Sequence, residues 1–235
     1  MSTLLLVRHG LTALTGPVLA GRTPGVRLDE RGQLQAAAVA ARIAVLPIAA
    51  VVTSPLERCV ETADVITAAQ RDAGHTTVQH IDERLTECGY GAWTGRQIKE
   101  LVKEPLWKIV QTQPSAARFP DGESLAEVSA RAVASVRAWD AELGPDAIWV
   151  ACTHGDVIKA IIADALGLHL DQFQRVVVDP CSVSVVRYTD TRPYVLRTND
   201  VGADLAAFAP PPRKPRRKRG GQDATIGGGA GAGSV

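Results

Sequence analysis

Short apolar runs alternate with longer stretches of helical periodicity along most of the chain. The apolar runs predict strands over 3–8, 49–53, 77–81, 147–153, 183–188 and 194–198. The stretches between them predict helices over 29–45, 54–73, 124–143 and 156–166. Strands that alternate with helices build a mostly parallel sheet with helices packed on it. The pattern therefore predicts an α/β fold, a three-layer sandwich with helices on both faces of a mostly parallel central sheet.

Two of the predicted helices begin at residues that favour helix N-termini. Asp29 precedes an alanine-rich helix and can accept a hydrogen bond from its first turn. Ser54, Pro55 and Glu57 match the preferences of the N-cap, N1 and N3 positions, which predicts a second helix that begins directly after Ser54. We therefore interpret Asp29 and Ser54 as helix caps and not as catalytic residues.

The folded part of the chain is predicted to end near Pro210. Three prolines stop regular structure there, a basic run over 213–219 follows, and the remaining residues are mostly Gly, Ala and Ser. Composition thus predicts one domain over 1–209 and a disordered, basic, glycine-rich tail over 210–235. The domain carries 20 basic and 24 acidic residues, net −4, whereas six Lys and Arg lie in the basic run. A solvated extension is the default interpretation of the tail, and weak binding of a polyanion stays open.

Composition also bears on the cellular setting of the protein. No run approaches the ~20 consecutive apolar residues that a membrane-spanning helix needs, and the N-terminus lacks the features of a signal peptide. The four cysteines are scattered without a C-x-x-C pair, which argues against a zinc site and for a reducing compartment. We expect a cytoplasmic protein without a membrane span, and its oligomeric state stays open.

Two histidines follow predicted strands at corresponding ends. His9 lies in Arg8-His9-Gly10 after the first strand, and His154 lies in Thr153-His154-Gly155 after the fourth. Because the carboxyl ends of parallel strands line one crevice, we expect both imidazoles there, with Arg58 from the first turn of the second helix. A neutral imidazole can attack phosphorus, and arginines can neutralise the phosphoryl oxygens. The set predicts phosphate chemistry.

A phosphate ester also needs a proton for its leaving oxygen. Glu87 is the best candidate, because it lies in a glycine-punctuated loop after the third strand. Asp82 and Glu83 lie in the same loop and stay open as alternatives. Arg22 in the first loop is a candidate substrate-binding residue, and a structural role for it is equally compatible with the sequence.

Five motifs occur in order along residues 4–198. They are Arg-His-Gly-x-Thr from Arg8, Ser-Pro-Leu-x-Arg-Cys from Ser54, Leu-x-Glu-x-x-x-Gly-x-Trp-x-Gly from Leu85, Gly-Glu-Ser from Gly122 and Thr-His-Gly from Thr153. Each motif alone is weak, but five at compatible spacing form a specific pattern. The chain resembles the histidine phosphatase superfamily, also called phosphoglycerate-mutase-like.

The resemblance implies an α/β sandwich and a role for each candidate residue. It implies a phosphohistidine intermediate on His9, a phosphate pocket of Arg8, Arg58 and His154, and Glu87 as the proton donor. It also implies that the enzyme uses neither a metal ion nor a cofactor. The substrate is then a small phosphomonoester, which the resemblance does not identify.

The chain departs from the commonest pattern of this family near the expected site. Thr15 stands where an Asn often contacts phosphate, so it is a candidate substrate-binding residue. The other departures are Leu11, Gly89 and Asp156. Residues 100–120 also lack the paired arginines with which mutases of the family grip a second acidic group. Hydrolysis is therefore favoured, and a phosphoglycerate-type mutase or a non-catalytic protein that binds a phospho-ligand or polyanion are the alternatives.

Overall fold

One sheet of six strands organises the computed structural model, which describes residues 1–202, Gly227 and Gly229. The strands are β1 Ser2–Arg8, β2 Ala50–Thr53, β3 Val78–Ile81, β4 Ile148–Thr153, β5 Val183–Tyr188 and β6 Pro193–Asp200. Their spatial order is β3-β2-β4-β1-β5-β6, in which the first four run parallel, β5 is antiparallel to β1, and β6 is antiparallel to β5. The predicted mostly parallel sheet is confirmed.

Helices connect the strands and cover both faces of the sheet. They are α1 Glu30–Ile43, α2 Glu57–Asp72, α3 Ile98–Leu101, α4 Pro105–Thr112, α5 Leu125–Leu143 and α6 Gly155–Ala165. Asp29 caps α1 as predicted, because its side chain accepts a hydrogen bond from the Gly32 N–H. Ser124 and Glu127 form a reciprocal capping box at the start of α5. Within the described residues, no helix combines the length and the apolar character needed to cross a membrane.

The predicted start of α2 is wrong. The helix begins at Glu57, its N-cap residue is Leu56, and no side chain caps it. Leu56 keeps an extended backbone, with φ −72° and ψ 135°. The Ser54 hydroxyl instead contacts the imidazole of His154, a residue distant in the sequence. A tertiary partner thus replaces the local capping interaction that the sequence favours.

The core consists of two apolar layers, one on each face of the sheet. Leu4 and Leu6 of β1 face the layer formed with α5 and α6, whereas Leu5 and Val7 face the layer formed with α1 and α2. This alternation follows from the two-residue period of a strand, and the continuous apolar run from Leu4 to Val7 follows from burial on both faces. The three-layer sandwich is therefore confirmed for the described part of the chain. The predicted tail over 210–235 lies outside the described residues, apart from Gly227 and Gly229.

Candidate active site

The predicted catalytic histidines lie side by side at the carboxyl edge of the sheet. β1 and β4 are parallel neighbours, and their register pairs Arg8 with Thr153, so His9 and His154 leave the sheet at the same level. Their ring centroids are 5.2 Å apart and the rings are inclined by 62°. The parallel pairing of β1 and β4 therefore brings these two distant residues together at one edge of the sheet, as the sequence predicts.

Gly10 lets the start of α1 approach this edge. A Cβ atom at Gly10 would lie 2.6 Å from the carbonyl oxygen of Gly32, a separation that no side chain can adopt. The close approach packs the first turn of α1 against the chain that follows His9. The glycine of the Arg-His-Gly motif thus has a packing role beside the catalytic candidate.

His9 is held in one tautomer. Its Nδ1–H donates to the carbonyl of Gly10 at 2.7 Å, which leaves the lone pair of Nε2 facing Nε of Arg58 at 3.2 Å. Burial, followed by the positive charges of Arg58 and Arg8, holds the pKa of His9 well below its usual range. The imidazole is therefore neutral near pH 7, and burial contributes more to this than repulsion from the two arginines.

His154 is also fixed through both ring nitrogens. Nη2 of Arg58 donates to its Nδ1 at 3.2 Å, so Nε2–H donates to the Ser54 hydroxyl at 2.8 Å. Burial, and then the charge of Arg58, holds the pKa of His154 well below its usual range. Sequence reasoning missed this role of Ser54. The signal was available, because Ser54 follows β2, and β2 pairs with β4 directly before His154.

The two arginines supply donors around the histidines. Arg58 is buried, and its Nη2 also donates to the carbonyl of Gly21 at 2.7 Å. Its Nη1 is buried and has no hydrogen-bond partner among the described residues. Nη1 of Arg8 donates to the carbonyl of Val178 at 2.8 Å. Such planar, convergent donors suit the oxygens of a phosphoryl group.

Glu87 lies in the same pocket, and its surroundings favour the protonated form. The pocket, of about 450 Å³, is lined by Arg8, His9, Arg58 and Glu87 among others. Burial, and next the negative charge of Asp156, raises the pKa of Glu87 to about 7. One carboxylate oxygen accepts a hydrogen bond from the Cys88 N–H at 2.8 Å. A carboxyl with this pKa can donate a proton near neutral pH.

The backbone around Glu87 is held by two arginines. Nε of Arg22 donates to the Glu87 carbonyl at 2.8 Å, and Nη2 of Arg131 donates to the same oxygen at 3.1 Å. Both arginines also form ion pairs with Glu123. Arg22 therefore supports the Glu87 loop, and it is not among the residues that line the pocket. Arg131 and Glu123 were missed as supporting residues.

Of the other candidates from the sequence, one lines the pocket and two do not. Thr15 lines the pocket, and its hydroxyl lies 2.9 Å from that of Thr12. Asp82 accepts hydrogen bonds from Arg84, Ser135 and Trp139, which hold its pKa well below the usual range although burial acts in the opposite direction. Glu83 is exposed to solvent. Of the three acidic candidates in this loop, Glu87 alone lines the pocket with the histidine and arginines.

The two described tail residues also lie at this site. The carbonyl of Gly229 accepts a hydrogen bond from Nη1 of Arg8 at 2.5 Å, and the carbonyl of Gly227 lies 3.3 Å from Nη2. Gly227 lines the pocket as well. These backbone oxygens take positions on Arg8 that phosphoryl oxygens can also take. No motif or pattern in the sequence predicts this contact.

Comparison with known proteins agrees with this arrangement. The sequence-family model of the histidine phosphatase superfamily (branch 1) matches residues 4–201. The chain therefore belongs to the histidine phosphatase superfamily.

Among its relatives, a probable phosphoglycerate mutase GpmB from Cronobacter sakazakii is 31% identical over 191 residues, which cover 80% of this chain and 86% of that protein. YhfR from Bacillus stearothermophilus superimposes with a TM-score of 0.74 at 25% identity, over 85% of this chain and 98% of its own. A variant of a phosphoserine phosphatase from Entamoeba histolytica, solved with phosphoserine, reaches a TM-score of 0.73 at 25% identity, over 86% and 98% of the two chains.

Proposed function

We propose that this protein is a phosphomonoester hydrolase that works through a phosphohistidine on His9. The observation that carries the proposal is a neutral imidazole, whose Nε2 accepts a hydrogen bond from Nε of Arg58 in the pocket, beside the buried Nη1 of Arg58, which has no hydrogen-bond partner among the described residues. A nucleophile beside an unused cationic donor fits an anionic electrophile. Membership of a superfamily that contains phosphatases and mutases agrees with this reading.

The first step transfers the phosphoryl group to the enzyme. Arg8 and Arg58 hold the oxygens of the substrate phosphate, His154 positions Arg58 through Nδ1, and Nε2 of His9 attacks phosphorus in line with the leaving oxygen. The new N–P bond forms as the ester P–O bond breaks. Glu87 gives its proton to the departing alkoxide, so that a neutral alcohol leaves and Glu87 becomes a carboxylate.

The second step returns the enzyme to its starting state. The Glu87 carboxylate takes a proton from a water molecule, whose oxygen attacks phosphorus. The N–P bond breaks, inorganic phosphate forms, and His9 regains its neutral imidazole. Every group used in this cycle is one of the pocket residues or a direct contact of Arg58, and the cycle needs no metal ion.

Rapid-quench labelling tests the covalent step. Mixing the enzyme with a ³²P-labelled phosphomonoester in the presence of EDTA is expected to give an acid-labile, base-stable phosphoenzyme. His9→Ala is expected to remove both the label and turnover while the circular dichroism spectrum stays the same. His169→Ala is the matched control, because it replaces an exposed histidine that does not line the pocket. More than a few per cent of turnover in His9→Ala contradicts the mechanism.

A phosphoglycerate mutase is the second candidate, because relatives 31% identical to this chain carry that name. The two activities differ in the acceptor of the phosphoryl group, which is water in one and a second hydroxyl in the other. The missing paired arginines over 100–120 favour water. Incubation with 3-phosphoglycerate distinguishes them, since a hydrolase releases inorganic phosphate and a mutase accumulates 2-phosphoglycerate.

A further inference from the structure

A buried polar group lies beside the phosphate-binding residues, and the two reaction steps do not use it. Asp156 stands in the first turn of α6, two residues after His154, and is fully buried. Its carboxylate accepts a hydrogen bond from the Tyr90 hydroxyl at 2.8 Å and lies 3.5 Å from Nζ of Lys159. Tyr90 lines the pocket together with Glu87. Asp156 thus lies directly behind the pocket wall, and neither reaction step moves a proton or a phosphoryl group to it.

Asp156 is a hydrogen-bond acceptor whose partners lie on two sides. Tyr90 and Lys159 belong to the folded domain, and Nζ of Lys159 also lies 3.0 Å from the side-chain oxygen of Gln174. Burial and the charge of Asp156 raise the pKa of Tyr90 well above its usual range, so its hydroxyl remains a donor. Arg8 is the cation on the pocket side, and Glu87 is the neighbouring carboxyl.

The protein's own backbone indicates what this part of the pocket accepts. The N–H of Gly227 donates to both carboxylate oxygens of Asp156 at 3.2 Å, and the carbonyl of the same residue lies 3.3 Å from Nη2 of Arg8. One residue therefore places a donor on Asp156 and an acceptor on Arg8, within the ~3.8 Å that one residue spans. In the proposed mechanism Glu87 protonates the leaving oxygen, and Asp156 is close enough to Glu87 to act on it by its charge, so the leaving group of a substrate on Arg8 comes near Asp156.

We propose that Asp156 determines substrate specificity by accepting a hydrogen bond from an ammonium or hydroxyl group on the leaving group. This inference rests on the proposed hydrolase function, because it assigns the phosphate to Arg8. A carboxylate at the same place would face the negative charge of Asp156 and lose binding energy. The favoured substrates are then phosphate esters of amino alcohols or polyols whose donor lies a few ångströms from the phosphate.

Three phosphate esters of similar size test the proposal with the full chain. O-phosphoethanolamine carries an ammonium group where n-propyl phosphate carries a methyl group, and phosphoglycolate carries a carboxylate. A hydrogen bond to a charged group corresponds to about 10- to 100-fold in kcat/KM. We expect O-phosphoethanolamine to exceed n-propyl phosphate by at least about tenfold on that scale, and phosphoglycolate to be the poorest of the three.

Two variants assign the preference to Asp156. Asp156→Asn removes the charge and is expected to reduce the ratio of the first two kcat/KM values to near one. Asp179→Asn is the matched control, because Asp179 also acts on Arg8 by its charge but is bonded to the Asn199 side chain. Its ratio is expected to stay at the wild-type value. A ratio cancels any change in the occupancy of Arg8 by Gly227 and Gly229, which affects all substrates alike.

The outcomes separate this inference from the function on which it rests. Release of phosphate from all three esters at equal kcat/KM overturns the role of Asp156 and leaves the hydrolase standing. A wild-type preference that persists in Asp156→Asn also overturns it. Failure to release phosphate from any ester overturns the proposed function and this inference together. Should Asp156→Asn not fold, the test is the wild-type ratio of kcat/KM for O-phosphoethanolamine to that for n-propyl phosphate, and a ratio near one overturns the role of Asp156.

Discussion

The raised pKa of Glu87 leads to a quantitative prediction for the pH dependence of the reaction. Burial and the charge of Asp156 raise its pKa to about 7, so below that pH the carboxyl carries the proton that the leaving alkoxide needs. His9 has its pKa held well below the usual range and stays neutral over the same interval. The activity of the free enzyme toward alkyl phosphates should therefore be high on the acidic side and fall as pH rises through about 7.

The size of the fall follows from the titration of one group. Above its pKa the protonated fraction of Glu87 drops about tenfold for each pH unit, so kcat/KM near pH 9 should be about one-hundredth of the plateau. Ionisation of the substrate does not change this fall above pH 7, because the second ionisation of a phosphate ester lies near pH 6. An aryl phosphate such as p-nitrophenyl phosphate provides the reference, since its leaving group departs largely without a proton.

The assay is phosphate release from an alkyl and an aryl phosphate between about pH 5 and pH 9, with kcat/KM determined at each pH. The alkyl profile should descend through about 7 and the aryl profile should stay nearly flat. Glu87→Gln should lower the alkyl plateau, remove its descending limb and affect the aryl substrate less. A descending limb near the ordinary glutamic acid value, or equal losses on both substrates, would refute the assignment of Glu87 as the acid.

Three further predictions concern residues that support the site. Ser54→Ala should reduce kcat/KM by about tenfold without changing the circular dichroism spectrum, because His154 loses the acceptor that fixes its Nε2–H. Asp82→Ala should lower the free energy of unfolding in urea by about 2 kcal/mol, because the buried Ser135 and the Trp139 indole lose their acceptor; unchanged stability would contradict its structural role. A chain that ends at Ala209 should keep kcat and show no increase in KM at ~0.5 M salt, because Gly227 and Gly229 contact donors of Arg8 that phosphate uses; loss of activity would show that the tail completes the domain.

Much of the fold and the centre of the site follow from the sequence by local rules. The continuous apolar runs of β1 and β4 predict a covered parallel sheet, and parallel strands deliver His9 and His154 to one edge. Asp29 as a cap and the Ser124 helix start are likewise local, since each depends on residues within one turn. The predicted and observed features agree here because local conformational propensity and tertiary packing favour the same conformation.

The supporting contacts could not be predicted in the same way. Ser54 has every local preference of a helix cap, yet its hydroxyl bonds His154, which lies 100 residues away in the sequence. Arg131 reaches the Glu87 carbonyl from the middle of α5. Such partners depend on how elements pack, and no periodicity or capping rule describes that packing. Arg22 shows the same limit, because its loop position allowed either a substrate or a backbone contact.

The pocket must keep two groups of opposite acid–base character neutral at the same pH. Burial helps both, since it lowers the pKa of His9 and raises that of Glu87. Arg8 and Arg58 do not help both, because their charges favour neutral His9 but also favour ionised Glu87, which would then have no proton to give. Asp156 opposes them at Glu87, where its charge is second only to burial. Its charge therefore lets a pocket that contains two buried arginines retain a protonated carboxyl.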